Sequence, residues 1–126
     1  MTAAVVVEQI ADDPSVLGLG DLDVLHAPPP CRAGQVSFRL LDPVTAGFYV
    51  VELVLGPVDD RSIIRLVERW AAERKRHGHR RCVAVLVAAH VEPRYRNLLR
   101  LIGGAVPLLV MEALQADGVL RFIKIG

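Results

Sequence analysis

Two strongly apolar segments on either side of an amphipathic segment limit what this chain can fold into. Residues 48–55 (FYVVELVL) and 82–89 (CVAVLVAA) consist almost entirely of β-branched, aromatic and small apolar side chains. Runs of this length and composition are typical of strands that are buried on both faces. The segment between them, 61–76, has the apolar spacing of a helix. Together they predict a sheet with helices packed against it.

Weaker patterns place the remaining elements around this core. Apolar side chains at helical spacing indicate further helices, and alternating or short apolar runs between turn residues indicate further strands. These elements are helices over 3–11 and 93–102, and strands over 22–26, 35–42, 107–111 and 119–125. The proline run at 28–30, with Gly34, predicts an extended connector. The expected fold class is α/β, with a mixed central sheet flanked by helices and the element order α, β, β, β, α, β, α, β, β.

Size and composition exclude several classes of protein. A chain of 126 residues that is 52% apolar is expected to form a single domain, 1–126, with a substantial core. Its longest stretch without a charged residue, 101–111, has 11 residues, whereas a spanning helix needs about 20. The N-terminus meets acidic residues at once and lacks a secretory signal, which predicts a cytoplasmic protein without membrane association. Cys31 and Cys82 stand in unlike contexts, so we expect reduced thiols and no zinc site.

The charge is distributed unevenly along the chain. The net charge is only +1, but residues 1–60 carry 2 basic and 9 acidic side chains, and residues 61–126 carry 13 and 5. The segment 61–81 alone has 8 basic against 2 acidic side chains. Arginine suits bidentate contact with phosphate, so this segment predicts a nucleic-acid-binding surface. The residues that would form this surface are Arg61, Arg65, Arg69, Arg76, Arg80 and Arg81. The alternative is a solvated helix face with local ion pairs.

The helix over 61–76 has a recognisable start and an apolar side. Asp59 or Asp60 is expected to cap it, because a carboxylate there accepts hydrogen bonds from free N–H groups. Ile63, Val67 and Trp70, with Ile64 beside them, define the side that we expect to face the sheet. The arginines line the opposite side.

Glu52 is the one charged residue inside a segment that reads as a fully buried strand. Burying a carboxylate costs several kcal/mol unless it is paired, protonated or bound to a metal. The period of a strand puts Phe48, Val50, Glu52 and Val54 on one face. An acid on a strand, with a lysine two residues on and a second acid nearby, is the pattern of a divalent-metal nuclease site. Here the residue two positions on is Val54, so an ion pair between Glu52 and an arginine of the adjacent helix remains the alternative.

Several of these residues, taken in order, resemble a known superfamily. The resemblance rests on two segments, 49–56 (YVVELVLG) and 84–88 (AVLVA), and on single residues between and after them. These residues are Asp59, Ile63, Ile64, Arg65, Glu68, Trp70, Glu73, Arg74, Arg94, Asn97, Pro107, Leu108 and Leu109. Over residues 34–126 the chain is similar to a small bacterial branch of the PD-(D/E)XK, restriction-endonuclease-like superfamily. The resemblance implies an αβββαβ core, in agreement with the order read from periodicity.

The resemblance implies an active site that this chain keeps only in part. Glu52 matches the acid of the (D/E)XK half-motif, but Val54 stands in place of its lysine. The aspartate expected on the preceding strand would fall near Ser37, and Asp42 is the only nearby carboxylate. Arg94 and Asn97 match the family, and we expect them to fix their helix to the sheet or to Glu52. The pattern predicts a nuclease fold that has lost catalysis, with Glu52 as a vestige of the site.

Three functional hypotheses follow from the sequence. The first is a non-catalytic module that binds duplex DNA through the arginines or serves as an assembly subunit. The second is an active endonuclease that uses Glu52 with the displaced Asp42, and Mg²⁺ is expected as a cofactor only in that case. The third is a protein-interaction module without DNA binding. The high apolar fraction favours a homodimer or a partner protein, and no small-molecule cofactor or resident metal is expected.

Overall fold

The computed structural model describes residues 2–26 and 35–125. It contains the predicted elements in the predicted order, with one additional 3₁₀ helix at Pro14–Leu17. The helices are α1 (Ala3–Asp12), α2 (Asp60–Arg76) and α3 (Pro93–Ile102). The strands are β1 (Asp23–His26), β2 (Gln35–Leu41), β3 (Phe48–Val54), β4 (Cys82–Ala88), β5 (Leu108–Ala116) and β6 (Val119–Ile125). The predicted connector at 28–30 with Gly34, and Cys31, lie outside the described residues.

The strands form one mixed sheet in the order β1-β2-β3-β4-β5-β6. The pairs β1–β2, β2–β3 and β5–β6 are antiparallel, whereas β3–β4 and β4–β5 are parallel. The parallel strands are the apolar runs, and they need the crossover helices α2 and α3 to connect them. The predicted α/β fold with a mixed central sheet is therefore confirmed.

Helices cover both faces of the sheet. On one face, α1 and the 3₁₀ helix pack on a buried cluster that includes Val51 and Leu53 of β3. On the other face, α2 and α3 pack on a cluster that includes Val50 and Val54. The predicted alternation of β3 is confirmed, and it directs Glu52 towards α2.

The buried side of α2 differs from the predicted one. Ile63 and Trp70 are buried as expected, but Leu66 is fully buried and Ile64 is 55% exposed. The contact side is therefore rotated towards Ser62 and Glu73, both of which are also buried. This rotation brings the flank that carries Arg65 and Arg69 next to β3.

Strand β5 is longer than predicted. It continues to Ala116 because Asp117 and Gly118 form a tight hairpin turn to β6, with φ values of 53° and 75°. Both values are positive, as a two-residue type I′ turn requires. No helix among the described residues is long and apolar enough to cross a bilayer.

Candidate nucleic-acid interface and a buried carboxylate

Glu52 lies at the interface between the sheet and α2. Its side chain has no exposed surface, as expected for the middle of a strand with neighbours on both sides. The β2–β3 register places Ser37 directly opposite Glu52. The Ser37 hydroxyl donates a hydrogen bond to Glu52 Oε2. The position where the resemblance expects a second acid is therefore in contact with Glu52, but it holds a serine.

Two arginines of α2 pair with this carboxylate. Arg69 Nη1 lies 3.3 Å from Glu52 Oε2, and Arg65 Nη1 lies 3.6 Å from Oε1. The two arginines are four residues apart, so they occupy the same flank of the helix on successive turns. Oε1 accepts no hydrogen bond from any described residue. Glu52 is thus compensated by guanidinium groups, which was the structural alternative left open by the sequence.

The donor set around Glu52 does not fit a divalent cation. Mg²⁺ takes oxygen ligands in a near-octahedral shell, usually from one or two carboxylates, waters and substrate phosphates. Here Glu52 is the only carboxylate of the group, and two cationic side chains approach its oxygens. Across the described ranges, no group of three or more His, Cys, Asp or Glu side chains could hold a metal ion.

The structure separates Asp42 from Glu52. Asp42 follows the end of β2, five residues beyond Ser37, which corresponds to about 16 Å at the rise of a strand. Its carboxylate accepts hydrogen bonds from the N–H groups of Val44 and Thr45 in the β2–β3 turn. The Val44 N–H is the main cause that holds the pKa of Asp42 below its usual range. Asp42 therefore stabilises a turn, and the predicted pairing of Asp42 with Glu52 at one ion is not compatible with this geometry.

A second buried carboxylate lies further along α2. Glu73 accepts from Arg39 Nη1 of β2 at 3.4 Å and from Arg76 Nη1 at 3.3 Å. His77 Nε2 is also 3.3 Å from Glu73 Oε2. The sequence analysis did not identify Arg39 or Glu73 as part of the site. The signal was present, because Glu73 follows Arg69 by four residues and so shares its flank of the helix.

The arginines around these two acids leave an excess of positive charge. Arg39, Arg65, Arg69 and Arg76 pair with Glu52 and Glu73, so four guanidinium groups meet two carboxylates, with a net charge of 4 − 2 = +2. The side chains of Arg65 and Arg76 remain 43% and 63% exposed. The other predicted contact residues, Arg61, Arg80 and Arg81, are exposed as well. The predicted basic residues thus lie along α2 and at its C-terminal end.

Arg94 and Asn97 do not support the sheet. Both are exposed; Arg94 hydrogen bonds to the neighbouring Tyr95 hydroxyl and Asn97 accepts from Arg100. The prediction that they fix α3 to the sheet or to Glu52 is wrong. Arg96 has this role instead, since it contacts Glu112 of β5 at 3.3 Å.

Glu112 also fixes the loop before α3. Its Oε2 accepts the Val91 N–H at 3.0 Å, and His90 Nδ1 lies 3.5 Å from the same oxygen. Arg96 Nε donates to the Val91 carbonyl at 3.0 Å. This cluster ties the end of β4, the start of α3 and β5 together. This contact was not predicted from the sequence, because Arg94 and Arg96 point to nearly opposite sides of α3 and only the packing of α3 on the sheet decides which one reaches Glu112.

Comparison with known proteins identifies the fold. No protein-family profile matches the chain, and no curated protein matches it. Among solved structures, EndoMS in its apo form has a TM-score of 0.69 at 20% identity, covering 91% of this chain and 48% of that one. A repair endonuclease from Pyrococcus abyssi has a TM-score of 0.68 at 20% identity, covering 89% and 46%. EndoMS in complex with double-stranded DNA has a TM-score of 0.66 at 19% identity, covering 92% and 47%.

These similarities define the class of fold and no more. At about one-fifth identity, they show that the chain has a fold found within repair endonuclease structures. The chain spans about half the length of each of these structures. The finding agrees with the nuclease fold that the sequence resemblance implied.

Proposed function

We propose that the chain is a PD-(D/E)XK-type module that binds duplex DNA without cleaving it. The observation that carries this proposal is the state of Glu52, the one acid that matches the family's motif. Its carboxylate is fully buried and is compensated by Arg65 and Arg69. The positive charge that a metal ion supplies in a nuclease comes here from the protein itself.

The absence of cleavage follows from the chemistry of phosphodiester attack. A metal-dependent nuclease uses its cation to activate water and to stabilise the charge that develops on the phosphate. That requires carboxylate oxygens open to the ion, and usually a lysine beside them. In this chain Val54 occupies the lysine position and is buried, and Ser37 occupies the position of the second acid.

The DNA-binding half of the proposal is supported by charge and by the neighbours. The arginines at 61, 65, 69 and 76 recur at four- and seven-residue spacing, so they form one stripe along a helix of about 25 Å. Arg80 and Arg81 extend the basic surface beyond the helix end. One structural neighbour is a complex with double-stranded DNA. Phosphate contacts by such a stripe give affinity without sequence specificity.

The test measures the binding of a fluorescently labelled DNA duplex by anisotropy at several salt concentrations. The logarithm of the association constant falls linearly with the logarithm of the salt concentration, and each phosphate contact removed should make this negative slope shallower by about 0.9. Arg61→Gln with Arg76→Gln should therefore weaken binding and reduce the slope by nearly 2 if both touch phosphate. Arg121→Gln, on edge strand β6, is the matched control and should leave both unchanged. Equal effects of the α2 and β6 variants would reject the proposed surface.

The alternative is an active endonuclease that uses Glu52 and Asp42, which would cleave DNA and not only bind it. It requires the two carboxylates to share an ion, which the separation along β2 opposes. Plasmid nicking that both Glu52→Gln and Asp42→Asn abolish would establish it.

We also propose that the chain assembles with a second copy or a partner protein. The support is exposed apolar surface on α3, where Leu98 and Leu101 are 38% and 78% exposed. Sedimentation velocity should show a dimer or a complex that Leu101→Glu weakens. A protein-interaction module without DNA binding would keep this assembly and show no salt-dependent affinity for duplex.

A further inference from the structure

The basic surface of α2 continues, through Arg80 and Arg81, to the end of the β3–α2–β4 unit that lies opposite the carboxyl end of β3. A cavity of about 490 Å³ opens there, beside the start of β4 and the segment that leads into β5. Its charged lining consists of Arg74, His79, Arg80 and Arg81, all of which are exposed. Arg74 and His79 were not among the residues expected to bind nucleic acid.

The cavity differs in charge from the α2 stripe. Among the described residues no carboxylate lines it, whereas the arginines at 65, 69 and 76 are each paired with a buried glutamate. Glu73 lies outside the lining and is itself paired with Arg39 and Arg76. The lining also includes Cys82, and burial, aided by the Glu73 charge, raises the pKa of its thiol. The cysteine therefore adds no negative charge, and the charged side chains of the lining are all basic.

Two of the basic side chains of this cavity lie over aromatic rings. The Arg74 guanidinium lies 5.3 Å from the centre of the Trp70 ring, and that ring is fixed because Nε1 donates to the Cys82 carbonyl at 2.8 Å. The Arg80 guanidinium lies 5.4 Å from the centre of the Phe48 ring. Stacked guanidinium groups lose less conformational freedom when an anion binds. They keep their edges free to donate hydrogen bonds.

We propose that this cavity is a binding pocket for a phosphomonoester group. Its volume falls within the range of about 300–1,000 Å³ for small-ligand sites. A monoester carries close to two negative charges at pH 7, so three arginines without an opposing acid favour it over a singly charged diester. The group can come from a phosphorylated DNA end or from a free phosphate or mononucleotide. The pocket goes beyond the proposed function, because it does not require duplex to cross α2.

The experiment compares ligands that differ only in the terminal phosphate. Duplexes with and without a 5′-phosphate are titrated by anisotropy, while inorganic phosphate and dAMP are titrated by amide NMR. We expect the phosphorylated duplex to bind about tenfold more tightly, the equivalent of about 1.4 kcal/mol. Phosphate and dAMP should shift the amides of residues 78–82. Arg74→Gln with Arg80→Gln should remove both effects, and Arg121→Gln should preserve them.

Each outcome separates the sources or rejects the pocket. Shifts by phosphate or dAMP without a preference for phosphorylated ends would assign the pocket to a free phosphate compound. Binding of these ligands by a protein that shows no affinity for duplex would support the pocket and reject the proposed function. No amide shifts, together with equal affinities for the two duplexes, would overturn the inference. If the double variant is unfolded by circular dichroism, Arg81→Gln replaces it and should reduce the preference severalfold.

Discussion

At the scale of single residues, the compensation of Glu52 by Arg65 and Arg69 is the feature that can be measured most cleanly. Removing both arginines leaves a buried carboxylate with Ser37 as its only described partner, so Arg65→Ala with Arg69→Ala should destabilise the protein by about 3 kcal/mol or more. In the triple variant, Glu52→Gln removes the uncompensated charge and should restore about 1–3 kcal/mol of the free energy of unfolding. Urea unfolding of the variants gives these free energies.

The single variant Glu52→Gln provides the control for this cycle. Glutamine keeps an oxygen for the Ser37 hydroxyl, and the two arginines are exposed enough to regain water. Glu52→Gln should lower the free energy of unfolding by only about 1 kcal/mol. Simple addition of the losses, with no recovery in the triple variant, would show that the two arginines do not compensate Glu52.

How much of the site could be predicted differs from residue to residue. The face of β3 that carries Glu52 follows from the two-residue period of a strand. The resemblance drew attention to Ser37, and the register places Ser37 opposite Glu52. The partners of Glu52 remained open, because the direction of an arginine side chain depends on how α2 is rotated on the sheet. Arg94 was wrongly given an anchoring role for a similar reason.

At the scale of elements, α2 is capped by Asp59, one of the two acids that the sequence offered for this role. Asp59 accepts hydrogen bonds from the Ser62 hydroxyl and N–H at 2.7 and 2.8 Å. The Ser62 hydroxyl is the main cause that holds the pKa of Asp59 below its usual value of 3.8. A lowered pKa means that the carboxylate stabilises the fold above its usual pKa and that this contribution is lost as the pH falls through the folded-state value.

The cap gives a prediction with a defined pH dependence. Asp59→Ala should cost about 1 kcal/mol at pH 7, and the difference from the wild-type protein should shrink below about pH 4. Asp59→Asn retains an acceptor oxygen and should cost much less at either pH. Unfolding by urea at neutral and acidic pH measures both. A cost of Asp59→Ala that stays constant through the acidic range would contradict the role of the ionised form.

The attachment of α3 gives a matched pair of variants. Arg96→Ala removes hydrogen bonds to Glu112 and to the Val91 carbonyl and should cost about 1 kcal/mol. Arg94→Ala removes only contacts with Tyr95 on the same helix and should stay within about 0.5 kcal/mol. Thermal unfolding distinguishes the two. The order would be reversed if Arg94 were the anchor.

Most elements could be predicted because local patterns decide them. The apolar runs, the cap at Asp59 and the alternation of β2 each have one favourable conformation, so their bounds agree closely with the structure. Strand β5 was predicted too short, because its second half is exposed and loses the apolar signal. The Asp117-Gly118 turn was the better indicator of its end.

At the scale of the whole molecule, the fold separates exposed arginines from the buried carboxylate of Glu52. The basic second half of the chain supplies α2 and the loop after it, and two of the acids around them, Glu52 and Glu73, are buried and paired. The surface that remains is positive although the net charge is only +1. The charge count over residues 61–81 predicts a basic surface here, and the structure adds that Glu73, one of the two acids of that segment, is buried and paired.

Nicking of supercoiled plasmid with Mn²⁺ tests the central claim most directly, provided that a gel shift of the same sample shows the plasmid to be bound. We expect bound plasmid to remain supercoiled with the wild-type protein and with Glu52→Gln alike. The reason is that Glu52 is held by arginines, with no second carboxylate beside it in the described part of the chain. Nicking by the wild-type protein that Glu52→Gln abolishes would contradict the account.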